Sequence, residues 1–201
     1  MRFAIAHLRE VAVLGALLAV TGCVTVRETN PPRAANEELM ISAAVDRVAD
    51  KLTAAIPPDT KTFVDAQYFD ALDGKYTIGA IRDRLLKLGA VMVADRASAD
   101  LIVEIRSGAQ SIDEKSTLVG IPSIEIPIPF AGPLKTPEIA LFKKALRSGV
   151  AKVAMTGYGA KDGALKFSSG PEVGLVQRTK WTVLLFITWT SSDVEYDIEK
   201  E

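Results

Sequence analysis

The chain has 201 residues, with 24 basic and 25 acidic side chains and an apolar content of 48%. That size suits one domain with a real core, and the absence of a basic excess gives no footprint for nucleic acid. The single histidine, His7, and the single cysteine, Cys23, both lie near the amino terminus, so serine–histidine and cysteine–histidine catalysis, histidine or cysteine metal sites and disulfides are excluded from the rest of the chain. Residues 1–22 have three zones: Arg2 and Arg9 at the start, the apolar run Val11 to Val20, and the small residues Thr21 and Gly22. A charged start, an apolar stretch of ~7–15 residues and a small-residue cleavage site make a secretory signal. The run falls short of the ~20 apolar residues that a spanning helix needs.

Cys23 stands where cleavage would occur, and Val20-Thr21-Gly22-Cys23 resembles the lipobox of bacterial lipoproteins. The resemblance implies that the Cys23 thiol receives a diacylglyceryl group, that residues 1–22 are removed, and that the new amino terminus is acylated, with palmitate as a characteristic chain. Val24 at the next position implies sorting to the outer membrane on its periplasmic face. Three acyl chains exceed the two signals that stable anchoring needs. His7 leaves with the signal, and the only thiol becomes a thioether.

Residues 23–35 read as a tether. Pro31 and Pro32 favour extended geometry. Residues 36–56 carry a helical pattern, with Ile41, Val45, Val48, Leu52 and Ile56 on one stripe, Asn36 as a cap and Pro57-Pro58 as the stop. Residues 61–69 read as a strand. A second helix capped by Thr77 carries Ile78, Ile81, Leu85 and Leu88 and ends at Gly89. Residues 90–94 and 101–106 read as strands, the latter alternating apolar and charged side chains.

Residues 119–137 differ, with five of the ten prolines interleaved with Ile121, Ile124, Ile126, Ile128 and Phe130. Proline cannot donate to a central ladder, so this is an edge or a long loop. Its alternation suits a strip with one apolar side, folded onto the domain, the preferred expectation, or set against a partner. Residues 138–147 fit a helix or a strand. Residues 150–158 and 164–168, with a Lys161-Asp162-Gly163 turn, read as a hairpin. Residues 181–189, almost wholly apolar, read as a central strand buried on both faces, with Trp181 and Trp189 in the core in preference to a pair that stacks on sugar or peptidoglycan. Residues 193–201 read as a solvated acidic tail.

No glycine motif makes a phosphate loop, and Gly157-Tyr158-Gly159 reads as turn glycines. Asp65, Asp70 and Asp73 are the only acid cluster that invites a paired-carboxylate site, and solvated loop acids are the commoner reading. Lys143-Lys144 reads as a surface face. The run Asn30-Pro31-Pro32-Arg33-Ala34, with Glu38-Leu39, Ser42 and Ala151-Lys152-Val153, resembles a group of uncharacterised proteobacterial lipoproteins. More remotely, Ala99-Asp100-Leu101-Ile102-Val103 is similar to periplasmic lipoprotein domains of the curli-secretion and penicillin-binding-protein-activator type.

These readings converge on a single α+β domain over residues 36–192, with a mixed, mainly antiparallel sheet and two or three helices. It is expected to be a non-enzymatic adaptor or envelope-assembly component that needs no metal or cofactor. It is held at the outer membrane by Cys23 and engages an envelope protein through Ile121, Ile124, Ile126, Ile128 and Phe130. The alternatives are an oligomeric secretion or pore-forming lipoprotein and a carboxylate-based cell-wall hydrolase.

Overall fold

The computed structural model describes residues 33–128 and 132–194. The signal segment, Val20, Thr21, Gly22 and Cys23, most of the tether, Phe130 and residues 195–201 lie outside them. The described chain folds as α1 (Ala35–Lys51), β1 (Thr60–Asp65), α2 (Gly74–Lys87), β2 (Ala90–Met92), a 3-10 turn (Arg96–Ser98), β3 (Leu101–Ile121), β4 (Glu125–Ile128), β5 (Gly132–Lys135), β6 (Ile139–Gly159), β7 (Leu165–Val183) and β8 (Ile187–Ser192). Six strands form a mixed sheet in the order β2-β1-β3-β6-β7-β8, and β4 and β5 form a separate pair. β1 runs parallel to β2 and β3; the remaining pairs are antiparallel. The result is a single α+β domain with two helices on one face of the sheet.

The core lies between the helices and the near halves of the long strands. Met40, Ala44, Val45, Val48 and Leu52 meet Ile81 and Leu85 of α2 and Val103, Ile105, Ala151, Val153, Met155 and Val176 of the sheet. Two glycines let α1 settle onto the sheet. A Cβ on Gly149 would come within 2.8 Å of the Met40 carbonyl oxygen, and one on Gly174 would lie 1.8 Å from that of Ala44. The exposed side of α1 also seals an edge, because β8 pairs with β7 only from Arg178 onward. Below that point Arg47 donates to the Leu175 carbonyl at 2.6 Å and Lys51 to that of Val173 at 2.6 Å.

Several boundaries differ from the periodic pattern. α1 ends at Lys51 rather than at residue 56 because tertiary bonds replace its next turn: Arg84 donates to the Leu52 carbonyl at 3.0 Å and the Thr53 amide to the Ser169 hydroxyl at 3.0 Å. Neither Asn36 nor Thr77 is a cap. Asn36 is inside α1, and α2 starts three residues before Thr77, whose buried hydroxyl donates to the Asp73 carbonyl at 2.9 Å. Residues 139–147 are strand, forming the start of β6. The hairpin at the Lys161-Asp162-Gly163 turn is present, but its arms run far beyond 150–158 and 164–168. Arg33, assigned to the tether, belongs to the domain through Asp73. Asp193 is no solvated tail residue: it accepts from Arg47 at 3.0 Å and from the Gln177 amide at 2.8 Å.

The largest departure is strand length. β3 and β6 are 21 residues each and β7 is 19, where the sequence reading gave only 101–106, 150–158 and 164–168 as strands. Beyond a bulge between Ser107 and Gln110, the register continues from Ser111↔Val150 to Ile121↔Ile139. Buried residues of β3 stop at Ile105. At a rise of ~3.4 Å per residue, the ten residues from Gly149 to Ile139 carry the sheet roughly 35 Å past the core as an arm.

Candidate functional site at the end of the arm

The arm divides into three zones along its length. Its shaft carries charge on both faces: Asp113 and Lys115 alternate with Glu114, and Lys143 with Lys144. Arg147 pairs with Glu114 across the strands at 3.0 Å, and Lys143 with Glu138 at 2.8 Å.

Nearer the end is an aromatic row. Lys144, Trp181 and Trp189 are successive cross-strand partners on β6, β7 and β8. The two indoles stack at 6.1 Å and 10°, Phe142 tilts against Trp181 at 5.9 Å, and the Lys144 ammonium lies 4.8 Å from the Trp181 ring centroid. Strand alternation puts this row on the face opposite α1, since Gly149, Gly174 and Val176 face the helix. This corrects the reading of residues 181–189 as a buried central strand. The segment is the end of β7, a three-residue turn and an edge strand, with Trp189 exposed.

The end itself is apolar and open. Leu184, Leu185 and Phe186 form the β7–β8 turn, with Phe186 77% and Leu185 55% exposed. The Leu184 and Leu185 amides donate to the carbonyls of Leu141 and Ala140, both at 2.9 Å. Both leucines have left-handed backbone, φ 49° and 73°, which costs a non-glycine residue about 1–2 kcal/mol. Beside the turn hangs the β4–β5 pair, clamped at its base where the Ser123 hydroxyl donates to the Thr136 carbonyl at 2.7 Å and the Ile124 amide to the Thr136 hydroxyl at 2.8 Å. Its register, Ile126↔Leu134 and Pro127↔Pro133, sets Ile126, Ile128 and Leu134 on one side and the prolines on the other.

The strip with one apolar side is therefore present, but it does not fold onto the domain's core. Ile121, Ile124, Ile126 and Ile128 are all at least 40% exposed. The two-stranded pairing is what frees them: β4 and β5 satisfy each other's backbone at the end of the arm, far from the helices. The structure thus brings together the four isoleucines named from the sequence, and adds Leu184, Leu185 and Phe186, which the sequence reading placed in a core.

The Asp65 and Asp73 carboxylates pair with different arginines, and Asp70 is held through its backbone. Asp65 pairs with Arg96 at 2.5 Å, and Asp70 exchanges backbone hydrogen bonds with the Ser107 hydroxyl. Asp73 accepts two bonds from Arg33 at 2.8 and 2.9 Å; that hydrogen bonding and the guanidinium charge hold its carboxyl below the usual range and raise Arg33. Among the described residues, no group of three histidine, cysteine, aspartate or glutamate side chains is placed to hold a metal, and no helix is long and apolar enough to cross a membrane. A shallow groove of about 570 Å³ between α1 and α2 holds Asp46 and Asp83 beside Lys75 and Arg84, and Tyr76 closes it by donating to Asp46 at 2.9 Å.

Fold and site together define a two-layer α+β domain that carries a protruding β arm with an exposed apolar turn at its end. Residues 17–180 match a family of unknown function, DUF6655, and the chain belongs to that family. The match spans both helices and most of the arm and stops just short of Trp181. No curated protein matches the chain.

Proposed function

We propose that this protein is a non-enzymatic envelope lipoprotein, held by acylated Cys23 at the periplasmic face of the outer membrane, whose β arm is its docking device. The observation that carries this reading is the arm: strands of 19 to 21 residues run past the helical layer and end in a cluster of exposed isoleucine, leucine and phenylalanine. Monomeric surfaces rarely keep such a patch without a use for it. The helical body then serves as the adaptor surface for an envelope protein, at a set distance from the arm's end.

The length of the arm also favours a second reading, an oligomeric pore built from such strands. A spanning strand needs ~9–11 residues with one uniformly apolar face. The shaft has charge on both faces, at Glu114 and Lys115 and at Lys143 and Lys144, which weighs against it. The hydrolase reading gains nothing from Asp65 and Asp73, each paired with a different arginine, which leaves no two carboxylates of the cluster set against each other.

Metabolic labelling with palmitate tests the anchor. The native chain should take up label and Cys23→Ala should not; label that persists in the variant refutes the lipoprotein reading.

A further inference from the structure

We infer that the end of the arm inserts into an anionic lipid bilayer, the same leaflet that holds the acylated Cys23. The inference deepens the lipoprotein reading and rests on it for the choice of leaflet.

The layering of the arm fits a bilayer rather than a protein groove. From the end inward come β4–β5, with Glu125 and Lys135 on the face away from Ile126 and Ile128, the apolar rows, the tryptophan pair with Lys143, Lys144 and Lys180, and then the charged shaft. Four rows from Ile139 to Phe142, at ~3.4 Å each, span about 10 Å, and interfacial elements bury their apolar part by about 5–10 Å. Tryptophan settles at headgroup depth, and lysines reach back to lipid phosphates.

Charge points the same way. Residues 111–148 and 176–192 hold seven lysines and arginines against four acids, a net of +3, whereas the other described residues hold thirteen against fifteen, a net of −2. Only the arm is drawn to an anionic surface.

The described start of the domain lies on the matching side. Met40 sits over Gly149, Ala44 and Val48 over Gly174, and Thr53 at Ser169, so α1 runs opposite to β7 and begins where the arm leaves the body. The ten residues from Cys23 to Arg33 reach at most about 36 Å, and the arm is about as long. Lipid anchor and apolar end can therefore meet one surface. An anchor held on the same body makes the arm's contact effectively intramolecular when their geometry permits both.

Trp181 and Trp189 are the only tryptophans in the chain, so the native protein carries its own probe. The experiment reconstitutes the mature lipoprotein into vesicles of phosphatidylethanolamine and phosphatidylglycerol whose acyl chains are brominated near the headgroup. Tryptophan emission should be quenched relative to unbrominated vesicles, and less so in phosphatidylcholine. Phe186→Asp and Ile126→Asp should each cut quenching roughly twofold or more, because a carboxylate is costly below the headgroups. Leu165→Asp, at the opposite end of β7, should not change it. Protein that floats with the vesicles yet is unquenched overturns the inference and leaves the anchor standing. Protein that fails to float removes the anchor; the same protein titrated onto anionic vesicles must then be quenched, or the inference falls. A tryptophan shift that appears without vesicles and grows with protein concentration would assign the apolar end to a second copy and likewise overturn it.

Discussion

Gly174→Ala probes the seat of α1 on the sheet. The added Cβ would stand 1.8 Å from the Ala44 carbonyl oxygen and 2.9 Å from the Val48 amide nitrogen. Both are backbone atoms inside a helix, so no rotamer can relieve the clash. The helix must lift by more than 1 Å, to ordinary contact at ~3.5 Å, and that opens the interface among Ala44, Val48, Val153 and Val176. Overpacking costs about 1–3 kcal/mol where side chains can adjust, and the upper end applies here. For a domain of this size ~3 kcal/mol lowers the melting temperature by roughly 6–12 °C. Gly79→Ala in α2 is the control: nothing lies within 4 Å of its Cβ, so helix propensity alone should gain about 1 kcal/mol. Thermal melting followed by circular dichroism reads both. A Gly174→Ala protein that melts with the native one would show that α1 does not rest on β7 at this point.

Two further outcomes follow from the ion pair and the strained turn. Asp73 is held below the usual carboxylate range by Arg33, so its contribution is full above the unfolded value near pH 4 and is lost as pH falls through the lower folded one. Asp73→Asn should cost about 1 kcal/mol at pH 7, and the gap between the two melting temperatures should close in acid; a gap that is constant with pH refutes the pairing. Leu185→Asn should relieve the left-handed strain at φ 73° and raise stability by about 1 kcal/mol, while weakening tryptophan quenching in brominated vesicles. A lower melting temperature would mean that Leu185 packs rather than protrudes.

The body was legible because its signals are local. The stripe of α1 and that of α2 place the residues found in the core, and the turn at Lys161-Asp162-Gly163 marks the hairpin. The arm was not, for two physical reasons. Strand length depends on pairing between segments far apart in sequence, and the mixed polar and apolar faces of residues 111–118 carry no period to extend. The β7–β8 turn was hidden because Leu184-Leu185-Phe186 contains none of the residues that make a left-handed turn easy, so the segment read as one buried strand. The proline segment was half legible: alternation gave the apolar side, but only its distance from the helices decides what that side meets.

The arm also lacks what usually supports a sheet. Beyond Glu104, where its pairing with β1 ends, β3 pairs with no strand but β6 among the described residues. β8 forms the other edge, so among the described residues the arm has two unpaired edges. Its own support is its ladders and a few cross-strand pairs, each worth ~0.2–1 kcal/mol. Open edges invite pairing with another chain unless charge interrupts them. Asp113, Glu114 and Lys115 do so on β3, and the short polar run Thr188, Thr190, Ser191 and Ser192 limits β8. At the end charge is confined to the Glu125–Lys135 pair on one face of β4–β5, and the turn Leu184, Leu185 and Phe186 carries none. Charge along the shaft and an apolar turn at its end is the pattern of a surface kept for an encounter. The left-handed leucines add to this, since glycine or asparagine would turn the chain there at lower cost.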